Sequence, residues 1–229
     1  MKPGAKDDTG VREINLLDLY PRAKRNIDER AAAVEGQREI AKRFGREYFD
    51  GERTQGYGGY RYDGRWVKIA EKFRDVWDLQ PGARILDVGC AKGFLLHDVR
   101  SVVPDVRPFG LDVSAYAIEH AMESVRGRIA RGTAAYLPFA DDAFDAVICI
   151  NTIHNLPRDL CVNAVREIER VTRPGGHSYI QVDSWLSEEQ RADFERWQLT
   201  ALTFSDPDGW KRLFAEGGYT GNYYWTLTE

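Results

Sequence analysis

Arg84-Ile85-Leu86-Asp87-Val88-Gly89-Cys90-Ala91-Lys92-Gly93-Phe94 reads as a buried strand that runs through a glycine turn into a helix. Ile85, Leu86 and Val88 form an apolar β run, Gly89 and Gly93 bracket the turn, and Phe94, Leu95 and Leu96 open an apolar helix face. Such a junction lets backbone come close to a ligand, because glycine has no Cβ to collide with it. Asp87 stands at the strand tip, where its carboxylate can accept hydrogen bonds. A second apolar run, Phe109-Gly110-Leu111, ends in Asp112, an acid placed to meet the two hydroxyls of a ribose.

Outward from this junction, strands and helices alternate. The pattern predicts strands near 84–88, 107–112, 129–133, 145–150 and 177–183, with helices over 93–101, 114–125 and 158–172. This alternation implies a parallel sheet with right-handed crossovers, an α/β fold whose site lies at the carboxyl ends of the strands. Upstream, residues 12–48 read as helical, with Pro21 starting a second helix, and a further helix runs over 66–79 to the Pro81-Gly82 turn. Downstream, helices are predicted over 188–198 and 206–216, then one strand near 223–228. The division expected is a disordered tail at 1–10, a helical lid extension at 11–65 and the main domain at 66–229.

The turn is Asp-Val-Gly-Cys-Ala-Lys-Gly, not the Gly-x-Gly-x-x-Gly of dinucleotide sites. Asp87 takes the first glycine position, and a carboxylate beside a pyrophosphate would repel it. A cofactor with a sulfonium, an ammonium and no phosphate avoids the conflict, and S-adenosylmethionine (SAM) has that make-up. From about residue 66 to 183 the chain resembles the class I SAM-dependent methyltransferases, a Rossmann-like family with a mostly parallel sheet and helices on both faces. Ile85–Gly93 is similar to the family's first motif, with Ala91 and Lys92 in its third glycine-rich position. Gly110-Leu111-Asp112-Val113-Ser114 is similar to the ribose motif. Leu137-Pro138-Phe139 and Phe144–Cys149 resemble the approach to the fourth strand, and Glu167–Val171 with Arg173-Pro174-Gly175-Gly176 the approach to the fifth. Four motifs in order are specific where one alone is weak.

The resemblance implies methyl transfer, with Asp87, Gly89, Cys90, Gly93, Asp112, Val113, Ala134 and Asn151 holding the cofactor. Where the family often has an acid near the adenine, this chain has Thr133. The family core usually finishes with two antiparallel strands, and only one candidate is visible here. The resemblance also implies a small acceptor of natural-product or sugar type, methylated on oxygen or nitrogen.

Candidate chemistry lies in two further segments. Asn151-Thr152-Ile153-His154 follows the fourth strand, and His154 is the best general base by its pKa range. A helix cap or a backbone bond is its bland alternative. The segment Tyr57–Trp66 combines glycine mobility with aromatic area and reads as a lid and substrate clamp. Tyr60 and Tyr57 would face the sulfonium, and Arg61 and Arg65 would clamp an anionic group on the acceptor. Tyr224 belongs to a C-terminal aromatic cluster that can line the acceptor side.

Composition narrows the field. The net charge of −4 argues against a general nucleic-acid binder. No apolar run approaches the ~18 residues of a membrane span. Cys90, Cys149 and Cys161 lack metal-ligand spacing, and no metal is expected. An odd cysteine count without a signal-like segment points to reduced thiols in the cytoplasm. Rival readings are an NAD-dependent oxidoreductase, which Asp87 opposes, a non-catalytic SAM-fold partner, and a SAM-fold enzyme with a different reaction. Oligomeric state is left open.

Overall fold

The computed structural model describes residues 12–21, 27–28 and 35–227. The tail expected at 1–10, and most of the second helix expected from Pro21, lie outside the described residues. The chain forms β1 (Arg12–Glu13), α1 (Glu35–Ala41), α2 (Arg46–Asp50), α3 (Val67–Trp77), β2 (Arg84–Val88), α4 (Phe94–Val102) and β3 (Arg107–Asp112). It continues through α5 (Ala115–Glu119), β4 (Ile129–Arg131), β5 (Phe144–Ile150), α6 (Arg158–Val171) and β6 (Thr172–Ser184). It ends with α7 (Glu188–Trp197), α8 (Pro207–Gly217) and β7 (Asn222–Leu227).

The seven strands make one sheet in the order β1-β7-β6-β5-β2-β3-β4, and every described pairing is parallel. Alternation along β2 sends Leu86 and Val88 into the core under α6 and α8, and Ile85 into the core under α3 and α4. Asp87 shares the face of Ile85. The chain lays β2, β3 and β4 to one side and then returns beside β2 with β5. The crevice between β2 and β5 is therefore the topological switch point, where ligands bind in such sheets.

The fold departs from the family's usual pattern at one point and from the sequence reading at two. No antiparallel closing strand is present among the described residues; β7 pairs parallel with β6, from Tyr179↔Asn222 to Ser184↔Leu227. The start of the segment read as helical is β1, which covers the outer edge of β7 and extends it with Ile14 N–H donating to the Tyr223 carbonyl at 3.0 Å. A bare edge strand leaves backbone groups unpaired, and β1 satisfies some of them. The fully buried Leu16 anchors this stretch beside Phe73 and Tyr179. Finally, the helix expected over 114–125 stops at Glu119, because the Met122 N–H bonds to the Lys92 carbonyl at 2.9 Å and Val125 turns into the core. Among the described residues no helix is long and apolar enough to cross a membrane.

Candidate active site

Two adjoining cavities open at the switch point. The smaller, about 160 Å³, is lined by Gly89, Ala91, Asp112, Val113, Thr133, Ala134 and Leu156, with Phe44, Tyr48, Phe49 and Tyr57 from the N-terminal segment. The larger, about 490 Å³, is lined by Asp87, Cys90, His154, Gln181, Asp183, Tyr224 and Thr226, and by Tyr20, Arg53, Tyr60, Arg65, Trp66 and Trp197. Gly89, Ala91, Asn151, Asn155, Ile150, Tyr48 and Tyr57 line both, so the two form one bipartite site.

The turn after β2 is built by backbone geometry. Gly89 has φ +82, and a Cβ there would lie 2.0 Å from Thr152 Oγ1. Its N–H donates to the Leu111 carbonyl at 2.7 Å, which ties the turn to β3. Asp112 receives the Ala91 N–H on Oδ2 at 2.7 Å and the Ser114 N–H on Oδ1 at 2.8 Å. Both oxygens are thereby fixed, and each retains lone pairs for a ligand hydroxyl. Burial pushes the Asp112 carboxyl up, against the pull of its backbone N–H donors. Asp87 has no such donors to offset its burial. Burial, and then the neighbouring Asp112, raise its pKa to about 8.

Of the residues expected to hold a cofactor, Asp112, Val113 and Ala134 meet in the smaller cavity, and Asp87 and Cys90 in the larger. Gly89 and Asn151 sit at the junction. Gly93 lines neither; a Cβ there would come within 2.7 Å of Val125, so packing explains that glycine. Val113 is 50% exposed at the cavity wall, an apolar surface placed to meet a flat ring. Asn151 adopts φ +50 and accepts from Thr226 Oγ1 at 2.9 Å.

The residues expected to bind an acceptor divide. Tyr57, Tyr60, Arg65, His154 and Tyr224 line the larger cavity, whereas Arg61 lines neither. Arg65 is paired with Asp63 at 2.5 Å and sits over the Tyr20 ring. Tyr60 stacks on Phe94 with ring centroids 4.7 Å apart, and burial raises its phenol far above the ordinary range, so it stays neutral. His154 is buried and paired with Asp183. Trp185 packs against Phe194 and lies outside both cavities, while Tyr223 belongs to the core. Among the described residues no cluster of His, Cys, Asp or Glu has the arrangement of a metal site.

Sequence reasoning missed the contact that ties Asp50 and Tyr60 to the glycine turn. Lys92 Nζ donates to both oxygens of Asp50, at 2.7 and 2.9 Å, and to the Tyr60 carbonyl at 3.0 Å. Tyr116 Oη and the Tyr60 N–H donate to the same carboxylate, at 2.8 and 3.1 Å. Burial alone would raise the Asp50 carboxyl, but these donors outweigh it and hold it below the ordinary range. The only signal in the sequence was a lysine inside a glycine turn. Removing one partner of a buried pair costs about 3–5 kcal/mol; Asp50 is partly exposed, so the lower end or less applies. Lys92→Met is expected to speed tryptic cleavage at Arg53 or Arg61 about tenfold through local opening. An unchanged cleavage rate would show that this contact does not hold the segment in place.

Residues 85–176 match the family described as a methyltransferase domain. The chain is 31% identical over 133 residues to probable tRNA methyltransferase 9B of Mus musculus, covering 57% of this chain and 27% of that protein. It is 31% identical over 119 residues to demethylmenaquinone methyltransferase of Geobacillus kaustophilus, covering 49% of this chain and 50% of that one. The chain thus spans about a quarter to a half of these curated relatives. The YcgJ protein of Bacillus subtilis superposes with a TM-score of 0.54 at 21% identity, over 65% of this chain and 66% of that one, which is a likeness of fold. Residues 85–176 are thus similar to a methyltransferase domain, carried on a fold like that of the YcgJ protein.

Proposed function

We propose that this protein transfers a methyl group from SAM to an oxygen or nitrogen of a small-molecule acceptor. The observation that carries the reading is the bipartite cavity at the switch point, with a buried acid in each half and a glycine turn between them. The residues fit the cofactor. Asp112 would take the ribose hydroxyls, Val113 and the Ala134 backbone would hold the adenine, and Asp87 would take the amino-acid end. A lone buried carboxyl with a raised pKa, as at Asp87, is matched by a cationic ligand and not by a phosphate. When bound, SAM supplies an activated methyl group whose bond to sulfur breaks, leaving the electron pair on sulfur.

The chain's own contribution is orientation and exclusion of water. Ordering of two reactants can account for about 7–11 kcal/mol of a barrier. In this reading the segment around Tyr57 and Tyr60 is a lid, fastened by Asp50 and Lys92, and its aromatic rings shield the reaction. The acceptor half is walled by Tyr20, Trp66, Trp197 and Tyr224. Among the described residues, the arginines of this lining are already engaged: Arg65 by Asp63, and Arg53 by the Tyr57 carbonyl at 2.9 Å and the Trp197 ring. The aromatic walls favour a flat acceptor, and His154, Gln181 and Asp183 in the same lining favour one that carries a polar group, over the anionic one that the arginines suggested. A relative named for demethylmenaquinone is in keeping with such an acceptor. The His154–Asp183 pair is the candidate for taking the acceptor's proton. Three buried free cysteines fit a reducing compartment, and a cytoplasmic site is part of this reading.

The test is incubation of the protein with SAM and a panel of hydroquinones, phenols and primary amines. The expected result is release of S-adenosylhomocysteine together with gain of one methyl group by an acceptor. Consumption of SAM without any methylated product would contradict methyl transfer.

A further inference from the structure

Asp183 lies near the carboxyl end of β6, and its carboxylate lines the acceptor half of the cavity beside His154. Its backbone N–H donates to His154 Nδ1 at 3.3 Å, and its Oδ2 lies 3.7 Å from His154 Nε2. A neutral imidazole carries one proton, and a ring nitrogen that accepts a hydrogen bond is the one without it. The proton therefore sits on Nε2, toward the carboxylate. The His154 backbone is held as well, since its carbonyl accepts from the Leu202 and Thr203 N–H groups at 2.9 and 3.0 Å. The imidazole thus presents a donor to Asp183, not a lone pair to a substrate.

The neighbouring polar groups leave Asp183 in the accepting role. Tyr179 Oη donates to Gln181 Oε1 at 2.5 Å, Gln181 Nε2 donates to Thr226 Oγ1 at 2.8 Å, and Thr226 Oγ1 donates to Asn151 Oδ1 at 2.9 Å. This ordered chain engages the amide oxygens of Gln181 and Asn151.

We propose that Asp183 is the catalytic residue that takes the acceptor's proton, that His154 is its positioning residue, and that the acceptor is a hydroxyl. The proposal rests on the methyl-transfer reading above and narrows it. A carboxylate is too weak a base to free an ammonium for attack. It is sufficient for a hydroxyl, whose proton becomes strongly acidic as the oxygen gains the methyl carbon. The balance closes: an oxygen lone pair forms the new O–C bond, the C–S pair stays on sulfur, and the O–H proton passes to the Asp183 carboxylate.

The tautomer of His154 tests the first half without any acceptor. Long-range ¹H–¹⁵N spectra of ¹⁵N-histidine-labelled protein, with the signal assigned by its loss in His154→Gln, should give the Nε2–H form. An Nδ1–H form overturns the proposal. The second half is read with Asp183→Asn on the hydroquinone and phenol panel. S-adenosylhomocysteine affinity should stay within about twofold while turnover falls by about 10²–10⁴-fold. Turnover kept in that variant, or methylation of amines alone, overturns the proposal. Failure of the wild-type protein to bind S-adenosylhomocysteine would instead overturn the methyl-transfer reading beneath it.

Discussion

Gly89→Ala is expected to abolish cofactor binding and to lower the melting temperature sharply. Gly89 sits at φ +82, a region that costs an L-residue about 1–2 kcal/mol. The added methyl would also lie 2.0 Å from Thr152 Oγ1, 2.6 Å from its Cγ2 and 2.8 Å from its Cβ. Thr152 cannot swing away freely, because its hydroxyl donates to the Ile150 carbonyl at 3.0 Å. Overpacking of this kind adds about 1–3 kcal/mol. The sum, about 2–5 kcal/mol, corresponds to a fall of roughly 5–15 °C for a chain of this size. Gly127→Ala is the control: φ is +80 there too, but nothing lies within 4 Å of the added Cβ. Thermal melts of the two variants separate local backbone strain from the collision at the turn. Equal losses would mean that the close approach of Thr152 contributes nothing.

Cofactor affinity is expected to rise with pH up to about 8 and then to level off. The Asp87 carboxyl, raised to about 8 by burial and by Asp112, is largely protonated in the ligand-free protein near neutrality. A cationic ligand beside it favours the carboxylate, so its pKa falls on binding and a proton is released. Release of a proton on binding means that affinity increases with pH, by at most about tenfold per pH unit. The same group has the opposite effect on the free protein. The folded state keeps a proton that the unfolded chain loses above its ordinary carboxylate pKa. Its contribution to stability is therefore full below that range and is lost as pH rises toward about 8. Calorimetry with S-adenosylhomocysteine in two buffers of different ionisation enthalpy measures the proton directly. Asp87→Asn should remove both the proton release and the rise in affinity. Affinity independent of pH in the wild-type protein would show that Asp87 does not meet the ligand's cationic end.

The parts of the fold that were legible in the sequence are those with local causes. The run Ile85–Val88 is a strand because its apolar residues fill both faces of a central β2, and the glycine turn and Phe94 face announce α4. Asp112 was legible because an acid at the end of an apolar run has few structural reasons to be there. What was not legible depends on partners far along the chain. Arg12–Glu13 form a strand only because β7 offers an edge. The helix after Ser114 ends early because Met122 finds the Lys92 carbonyl. Residues 12–48 read as helical, yet Phe44 and Tyr48, with Phe49 just beyond them, wall the smaller cavity. Asp50 carries no local signal in the sequence; its place is set by Lys92, Tyr116 and Tyr60, which converge on it from distant parts of the chain. Periodicity carries no information about such pairings, which are set by tertiary packing.

The central claim is that Asp112 and the glycine turn form an adenosine-binding site. Calorimetric titration of the protein with S-adenosylhomocysteine, with Asp112→Ala alongside, tests it most directly. Both Asp112 oxygens are oriented by backbone N–H groups, so the variant loses a prepared acceptor pair for the ribose. Hydrogen bonds to a charged group contribute about 1.5–3 kcal/mol each, and loss of one or two should weaken binding by about 10- to 10⁴-fold. Micromolar binding by the wild-type protein that is lost in Asp112→Ala is the predicted result. No binding by the wild-type protein, or equal binding by both, would contradict the account.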